Sequence, residues 1–457
     1  MSIHATSRHF RRVAPVAALI ASLSPTRARA QEPSAGHLTL GGAARLAALR
    51  SAASAGAAAR SAQADARTSQ RRAELLPTLS TSAQLGARTT NSASLGIDFP
   101  TSAGNAPAFD PRGELIGPVH DMDLRARIAQ RVVDVPAMLR WRAAAADADA
   151  ARRTVAATAD QAAERGAAAY VEVQRAEARI AAHLADSALA AELLDMARQQ
   201  LAAGVAVSLD VTRAESQLAD ARARLITTRG QHERALLTLR RELALDASAP
   251  LGIADTLAAP PVVEPARSGD DAVREALAAR ADVRAAVASQ DGAHLQARAA
   301  LAEHLPTVQL FADHGATGRG TDRLLGTYAY GVQVSLPLFD GLRAESRAAE
   351  ERAREREAET QLQDARRQVE TEVRGALVDI ATAREAVAAA DVRLRLAEQE
   401  VAQARERFRA GVSGNADVIS ASMSLDGARD LVIDARAAYQ RARVALAAAR
   451  GDAATLP

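Results

Sequence analysis

Chemistry in this 457-residue chain must be done without two of the most useful side chains, because it contains no cysteine and no lysine. All 57 basic residues are arginine. Thiol nucleophiles, disulfides, thiolate metal sites and cysteine-borne lipid anchors are excluded. So are the lysine of a phosphate-binding loop, the strand lysine of a kinase and a Schiff-base lysine. The nine histidines are scattered without metal-ligand spacing, and no glycine-rich phosphate loop follows a strand pattern. His183 reads as a satisfied polar residue at a helix interface rather than as a ligand or base. The 55 acidic residues mostly decorate helix faces, and the charged run 345–359 reads as a solvated face. Two aspartates stand apart, Asp210 and Asp417, each shortly after an Ala-Gly-Val break, Ala203-Gly204-Val205 and Ala410-Gly411-Val412. At those places a carboxylate suits the positive end of a returning helix. No enzyme, cofactor or metal is expected. A formal charge of +2 and 2% aromatic content leave neither the field nor the stacking surfaces for nucleic acid.

The two breaks belong to an internal duplication. At an offset of 207, Asp210-Val211 matches Asp417-Val418, and Ala214, Leu218, Ala221, Arg222, Arg229 and Leu239 match Ala421, Leu425, Ala428, Arg429, Arg436 and Leu446. Earlier, Leu76-Pro77-Thr78 matches Leu305-Pro306-Thr307 at an offset of 229, so the first half carries an insertion, placed near 88–120. Two copies are too few for a solenoid and imply pseudo-symmetry.

Heptads position the breaks. Val373, Ile380, Val387, Leu394, Val401 and Phe408 recur every seven residues, shadowed three positions on by Ala376, Ala383, Ala390, Ala397 and Ala404. Past Gly411 the pattern resumes with Val418, Leu425, Val432, Tyr439 and Leu446, and with Ala421, Ala428, Ala435, Ala442 and Ala449. The first half echoes it in Val173, Ile180, Leu194 and Leu201 with Ala169, Ala176, Ala190 and Ala197, then in Val211, Leu218 and Leu225. Large residues alternating with alanine make closely packed antiparallel helices, and each glycine break makes a hairpin. No proline falls between Pro136 and Pro250 or between Pro337 and Pro457. The reading is therefore two helices of about seventy residues, near 137–203 and 341–410, each about 100 Å long. Helices of about half that length are expected near 42–75, 208–245, 271–304 and 416–450. The fold class is mainly α with β, a long antiparallel coiled-coil arrangement plus strands.

Between each first short helix and each long helix the period changes to two. Tyr328, Tyr330, Val332, Val334, Leu336 and Leu338 share one face, opposite Ala329, Gly331, Gln333 and Ser335. Met122, Leu124, Ala126 and Ile128 alternate with Asp123, Arg125 and Arg127, and Leu79, Ala83 and Leu85 with Ser80, Ser82 and Gln84. A weaker fourth strand follows Pro306. About ten residues spans a membrane as a β-strand, and Tyr328 and Tyr330 suit a membrane interface. Four strands cannot close a barrel, whereas three chains supply twelve. Residues 1–30 read as a secretory signal peptide: Arg8, Arg11 and Arg12, an apolar run from Val13 to Leu23, and small Ala28 and Ala30 before Gln31. The remaining divisions are a first repeat over 31–250, a linker or equatorial segment over 251–270, a second repeat over 271–451 and a tail over 452–457.

The paired Leu-Pro-Thr segments, the Ser335-Leu-Pro-Leu-Phe-Asp-Gly341 run and the two Ala-Gly-Val turns followed by Asp-Val resemble the TolC family of bacterial outer-membrane efflux proteins, over nearly all of 38–450. The resemblance implies a homotrimer with a shared twelve-stranded barrel in outer-membrane lipid and a long periplasmic α-barrel. It implies a passive exit duct that docks on a periplasmic adaptor (membrane fusion) protein and an inner-membrane transporter. It further implies that Ala203–Val205 and Ala410–Val412 are the docking tips and that Asp210 and Asp417 line the periplasmic aperture. Where the family prototype has a second gate carboxylate, this chain has Ser420. Three Asp417 carboxylates around a narrow axis would repel unless hydrated, protonated or cation-bound. The competing reading is a soluble periplasmic coiled-coil adaptor or scaffold, which would share the hairpins and the export signal but lack the strands.

Overall fold

The computed structural model describes residues 38–95, 113, 115–257, 268–321 and 323–456. The expected signal segment, much of the expected linker and the middle of the expected insertion lie outside the described residues.

Two helices dominate, α3 (Val135–Ala202, 68 residues) and α7 (Arg343–Arg409, 67 residues). At 1.5 Å per residue each is about 100 Å long. An aspartate starts each one. Asp134 accepts from the Ala137 amide at 2.8 Å, with Pro136 in the first turn where its missing N–H costs nothing. Asp340 accepts from the amides of Arg343 and Ala344, both at 3.1 Å. The returning helices are α4 (Ser208–Glu242) and α8 (Asn415–Arg450). The alanine-shadowed heptads form the seams. Val387, Val401 and Phe408 of α7 are buried with Ala390 and Ala397, facing Val418, Ala421, Leu425, Ala428, Val432 and Ala435 of α8, while Val373 and Ala376 pack with Val273, Ala276 and Ala449. On the other hairpin Ala190, Leu194 and Ala197 pack on Ala214, Leu218 and Ala221. Leu201 departs from the expected seam: in the last turn of α3 it is exposed.

The short helices before each sheet segment were expected as single elements, and the structure breaks both. The first is α1 (Leu40–Arg50) and α2 (Ala52–Ala73), the second α5 (Gly269–Ala279) and α6 (Ala281–Leu301). The breaks fall at Ser51 and Arg280, equivalent positions at the offset of 229, and each residue is extended (ψ 144° and 130°). Ser51 caps α2 by accepting from the Ser54 amide at 3.2 Å. Arg280 is held in its bend by Asp282 at 2.6 Å, by Glu372 and by the Ala449 carbonyl at 3.3 Å. Helices α1 and α2 pack along α3, α5 packs on α7, and α6 lies against both long helices.

The strands β1 (Thr78–Asn91), β2 (Leu115–Val133), β3 (Thr307–Gly318) and β4 (Leu325–Ser335) form one antiparallel sheet in sequence order, leaving β1 and β4 as its edges. β1 and β2 run past the expected 78–86 and 121–130. The long helices differ in length by one residue, so the change of offset from 229 to 207 is taken up in the β1–β2 hairpin. β4 stops at Ser335, short of the expected Leu338, because its partner β3 begins only at Thr307, after Pro306.

A separate core anchors the ends of the described chain to α3. Leu40, Ala43, Ala47, Tyr170, Val173, Leu239, Val444, Ala453 and Leu456 are buried together. The Tyr170 hydroxyl, on a ring with no exposed surface, donates to the Leu38 carbonyl at 2.7 Å and accepts from the Asp255 amide at 3.2 Å. Its phenol is pushed up to about 12, chiefly by burial.

Candidate functional site

Both hairpin turns are built the same way. At the end of α3 Gly204 takes φ +77°, its amide donating to the Leu201 carbonyl and the Val205 amide to the Gln200 carbonyl, both at 3.0 Å. At the end of α7 Gly411 takes φ +67°, with Gly411 donating to Phe408 at 3.0 Å and Val412 to Arg407 at 2.9 Å. These are paired Schellman closures, and the left-handed backbone is what demands glycine. A Cβ at either glycine would meet nothing within 4 Å. The closures turn Val205 and Val412 outward, 74% and 70% exposed, beside exposed Val207 and Leu209. Apolar side chains held out by rigid turns offer a partner contact area that needs little further ordering.

Asp210 and Asp417 sit in the first turns of α4 and α8, three residues past the helix caps Val207 and Gly414, not at the caps themselves. Asp210 is half-buried and Asp417 exposed, as is Ser420 one turn on. Among the described residues neither carboxylate takes a hydrogen bond from a side chain, so both remain open to solvent ions or to a neighbouring chain.

Two residues that sequence reasoning missed tie the turns together. Asn415, with no exposed surface, donates through Nδ2 to the Asp210 carbonyl at 2.8 Å. Gln200 donates through Nε2 to the Phe408 carbonyl at 2.9 Å. The signal for both was a departure from the duplication: at the offset of 207, Asn415 stands opposite Ser208 and Gln200 opposite Arg407.

At the sheet, register sorts the side chains onto two chemically distinct faces. Leu79 pairs with Ile128, Ile128 with Ala312, and Ala312 with Tyr330. The same parity carries Leu85, Met122, Leu124, Leu310, Tyr328, Val332 and Val334, so one face is an exposed apolar surface. Tyr328 and Tyr330 lie on it, 74% and 78% exposed, stacked with ring centroids 6.4 Å apart. Leu336 and Leu338, expected to continue this face, lie beyond the end of β4 and remain exposed. The opposite face is polar. Arg125 pairs with Asp313 across the β2–β3 boundary and with Asp123 at 3.3 Å. Arg127 lies 5.3 Å over the Phe311 ring, and Gly331 leaves room for that ring.

His183 Nδ1 lies 2.9 Å from the Thr228 hydroxyl inside the α3–α4 contact, the satisfied interface position expected of it. Among the described residues no group of three His, Cys, Asp or Glu side chains could hold a metal ion. No described helix is long and apolar enough to cross a membrane.

The family profile described as outer membrane efflux protein matches residues 272–452, the second of the duplicated halves. Protein CyaE of Bordetella pertussis is 28% identical over 280 residues, which cover 60% of this chain and 59% of CyaE. The chain thus aligns with little more than half the length of that relative. Solved structures match over far more of the chain. The outer membrane channel CmeC of Campylobacter jejuni superposes with a TM-score of 0.77 at 18% identity, covering 91% of this chain and 86% of CmeC. The outer membrane protein VceC of Vibrio cholerae gives 0.74 at 21% identity, covering 90% and 96%. The MtrE outer membrane channel of Neisseria gonorrhoeae, in its open state, gives 0.74 at 19%, covering 90% and 88%. At these identities the likeness is one of fold: paired long helices with four strands per chain.

Proposed function

We propose that the chain is a member of the outer membrane efflux protein family, whose profile its second half matches, and that it is the outer-membrane duct of a tripartite efflux or type I secretion system. The observation that carries the reading is the sheet. An exposed apolar face bearing Tyr328 and Tyr330, backed by a polar face of arginine and aspartate and bounded by two unpaired edges, is one third of a barrel with lipid outside and water inside. Its open edges would pair with further copies of the chain, and three copies give twelve strands. The helices would then stand in the periplasm and continue the duct.

The two turns are the docking tips of this reading. Gly204 and Gly411 fix them, while Val205 and Val412 supply exposed apolar contacts for the helical hairpins of an adaptor. Asp210 and Asp417 follow directly, at the level where three chains would converge on one axis. The exposed Asp417 is the aperture residue, with Ser420 lining the next turn without adding charge. A duct of this kind moves cargo passively, the energy coming from an inner-membrane transporter behind the adaptor. The family and the fold are those of channel proteins, and no catalytic step is assigned.

The test is fractionation followed by conductance. Recovery of a heat-sensitive trimer from outer membranes, conducting ions in a planar bilayer, is the expected result. Recovery as a soluble periplasmic protein would sink the proposal.

A further inference from the structure

The seam between the two hairpins, where α3 meets α8, is apolar near the turns and apolar again at the far end, but not between. Near the turns Leu189 and Leu193 pack on Val418, Ala421 and Leu425; at the far end Tyr170 and Val173 pack with Ala437 and Val444. Between them runs a charged ladder. Four residues of α3, Arg175, Arg179, His183 and Asp186, face Asp434, Asp430, Arg429 and Asp426 of α8. Arg175 Nε donates to Asp434 at 2.8 Å and Arg179 Nη2 to the same carboxylate at 2.9 Å. Arg179 Nε and His183 Nε2 both approach Asp430 Oδ1, at 3.7 and 3.6 Å. Asp186, 2% exposed, is paired with Arg429, and Asp426 receives Arg224 of α4 at 2.9 Å.

The ladder is incompletely satisfied: Asp186 Oδ2, Asp426 Oδ1, Asp430 Oδ1 and Arg179 Nε are buried without a hydrogen-bond partner. Burial, and after it the neighbouring Asp186 carboxylate, raises Asp426 to about 7, against the opposing pull of Arg224 and Arg429. One proton shared between the two carboxyls would satisfy both free oxygens at once. The Thr228 hydroxyl donates to the Arg224 carbonyl at 2.9 Å, so it accepts from His183 Nδ1, which holds the ring with Nε2 toward Asp430. The remaining charges around the seam are already paired: Asp391 of α7 with Arg436 at 3.1 Å, and Glu177 of α3 near His232 of α4 at 3.5 Å.

We propose that the Asp186–Asp426 carboxyl pair forms a proton-operated clasp between the two hairpins, closed while the pair holds a proton and loosened when the proton leaves. Deprotonation sets two buried carboxylates against each other, so the α3–α8 contact weakens as pH rises through neutrality. On the duct reading above, a loosened α3–α8 seam would let the two hairpins and their turns part, so the clasp makes the width of the aperture depend on periplasmic pH.

Two readouts separate the clasp from the duct. Infrared difference spectra of the purified full-length protein, from about pH 5.5 to about pH 8.5, should contain a protonated-carboxyl band that titrates near neutrality. Asp426→Asn should remove that band, and Arg224→Gln should move its midpoint upward, because one opposing cation is gone. A spectrum with no such band in the wild-type protein, or one left unchanged by Asp426→Asn, overturns the clasp whatever the protein does in a membrane. In planar bilayers wild-type conductance should rise over the same pH range. Asp426→Asn, locked in its uncharged form, should stay near the acid value. A conductance rise in Asp426→Asn equal to that of the wild type also overturns the proposal. Total absence of conductance at every pH, with the infrared band intact, counts against the duct and leaves the proton site standing.

Discussion

Tyr170 is the point at which the account of the core joining the chain ends to α3 is most exposed to test. Its hydroxyl holds two otherwise unrelated strands of chain, accepting from Asp255 and donating to Leu38, while the Leu40 amide donates to the Asp255 carboxylate at 2.9 Å. Tyr170→Phe keeps the buried ring and removes only the oxygen. The Asp255 amide is left without that acceptor, whereas the Leu38 carbonyl keeps the Ala254 amide at 2.8 Å. One lost hydrogen bond plus one stranded donor comes to about 1–3 kcal/mol, or about a 5- to 150-fold rise in local opening. Hydrogen exchange should record it at the amides of Leu38, Ala254 and Asp255, whereas the amide of Leu218 in the α3–α4 seam should exchange as before. Equal exchange at all these sites, or a uniform rise throughout, would refute the reasoning. The raised phenol pKa adds a pH signature. In the opened state the phenol ionises near its ordinary value of about 10, but in the closed core only near about 12. The wild-type core should thus lose stability as pH climbs between those values, and Tyr170→Phe should not. Limited proteolysis within 251–257 along a pH series reads the difference.

Other substitutions probe the turns and the sheet. Gly411→Ala has open space for its methyl group, so the cost should be the backbone strain alone, about 1–2 kcal/mol, read as fraying of the α7 end by exchange of the Val412 amide. Gly166→Ala is the steric counterpart: its Cβ would lie 2.5 Å from Ala47 Cβ, and overpacking should cost about 1–3 kcal/mol and loosen α1 from α3. Asn415→Ala should cost about 1 kcal/mol and raise exchange at both turns together, because the two are bonded through it. Val332→Arg on the apolar face should cost about 2–4 kcal/mol in lipid and reduce trimer assembly, while Gln333→Arg, on the other face, should assemble normally. Equal assembly of the two would overturn the facing assigned to the sheet.

What the sequence revealed was whatever repeats with a period. The alanine-shadowed heptads located the seams residue by residue, because close helix packing tolerates little else at those positions. The glycine breaks were legible because only a left-handed residue closes a helix in that way. Elements without a period were missed. Neither Ser51 nor Arg280 carries the proline or glycine that usually marks a break, and Arg280 is held by Asp282 and Glu372, the latter far away in sequence. The end of β4 was misplaced because apolar alternation continues through Leu336 and Leu338 after the pairing partner has run out. Asn415 and Gln200 were invisible to a search for similarity, since both sit where the two halves differ. The α3–α8 ladder escaped for a related reason: its acidic residues on α8 look like an ordinary solvated stripe until α3 is placed against them.

The central claim, that β1 of one copy continues β4 of another until three copies close, has a direct test in a chain with no cysteine of its own. Single cysteines introduced along β1, between Leu79 and Leu85, and along β4, between Thr327 and Val334, can be combined in one chain and oxidised in outer membranes. The account requires linkage between copies at one register, in a ladder that stops at three chains. A ladder that stops at two, runs on past three, or never forms at any register would contradict it.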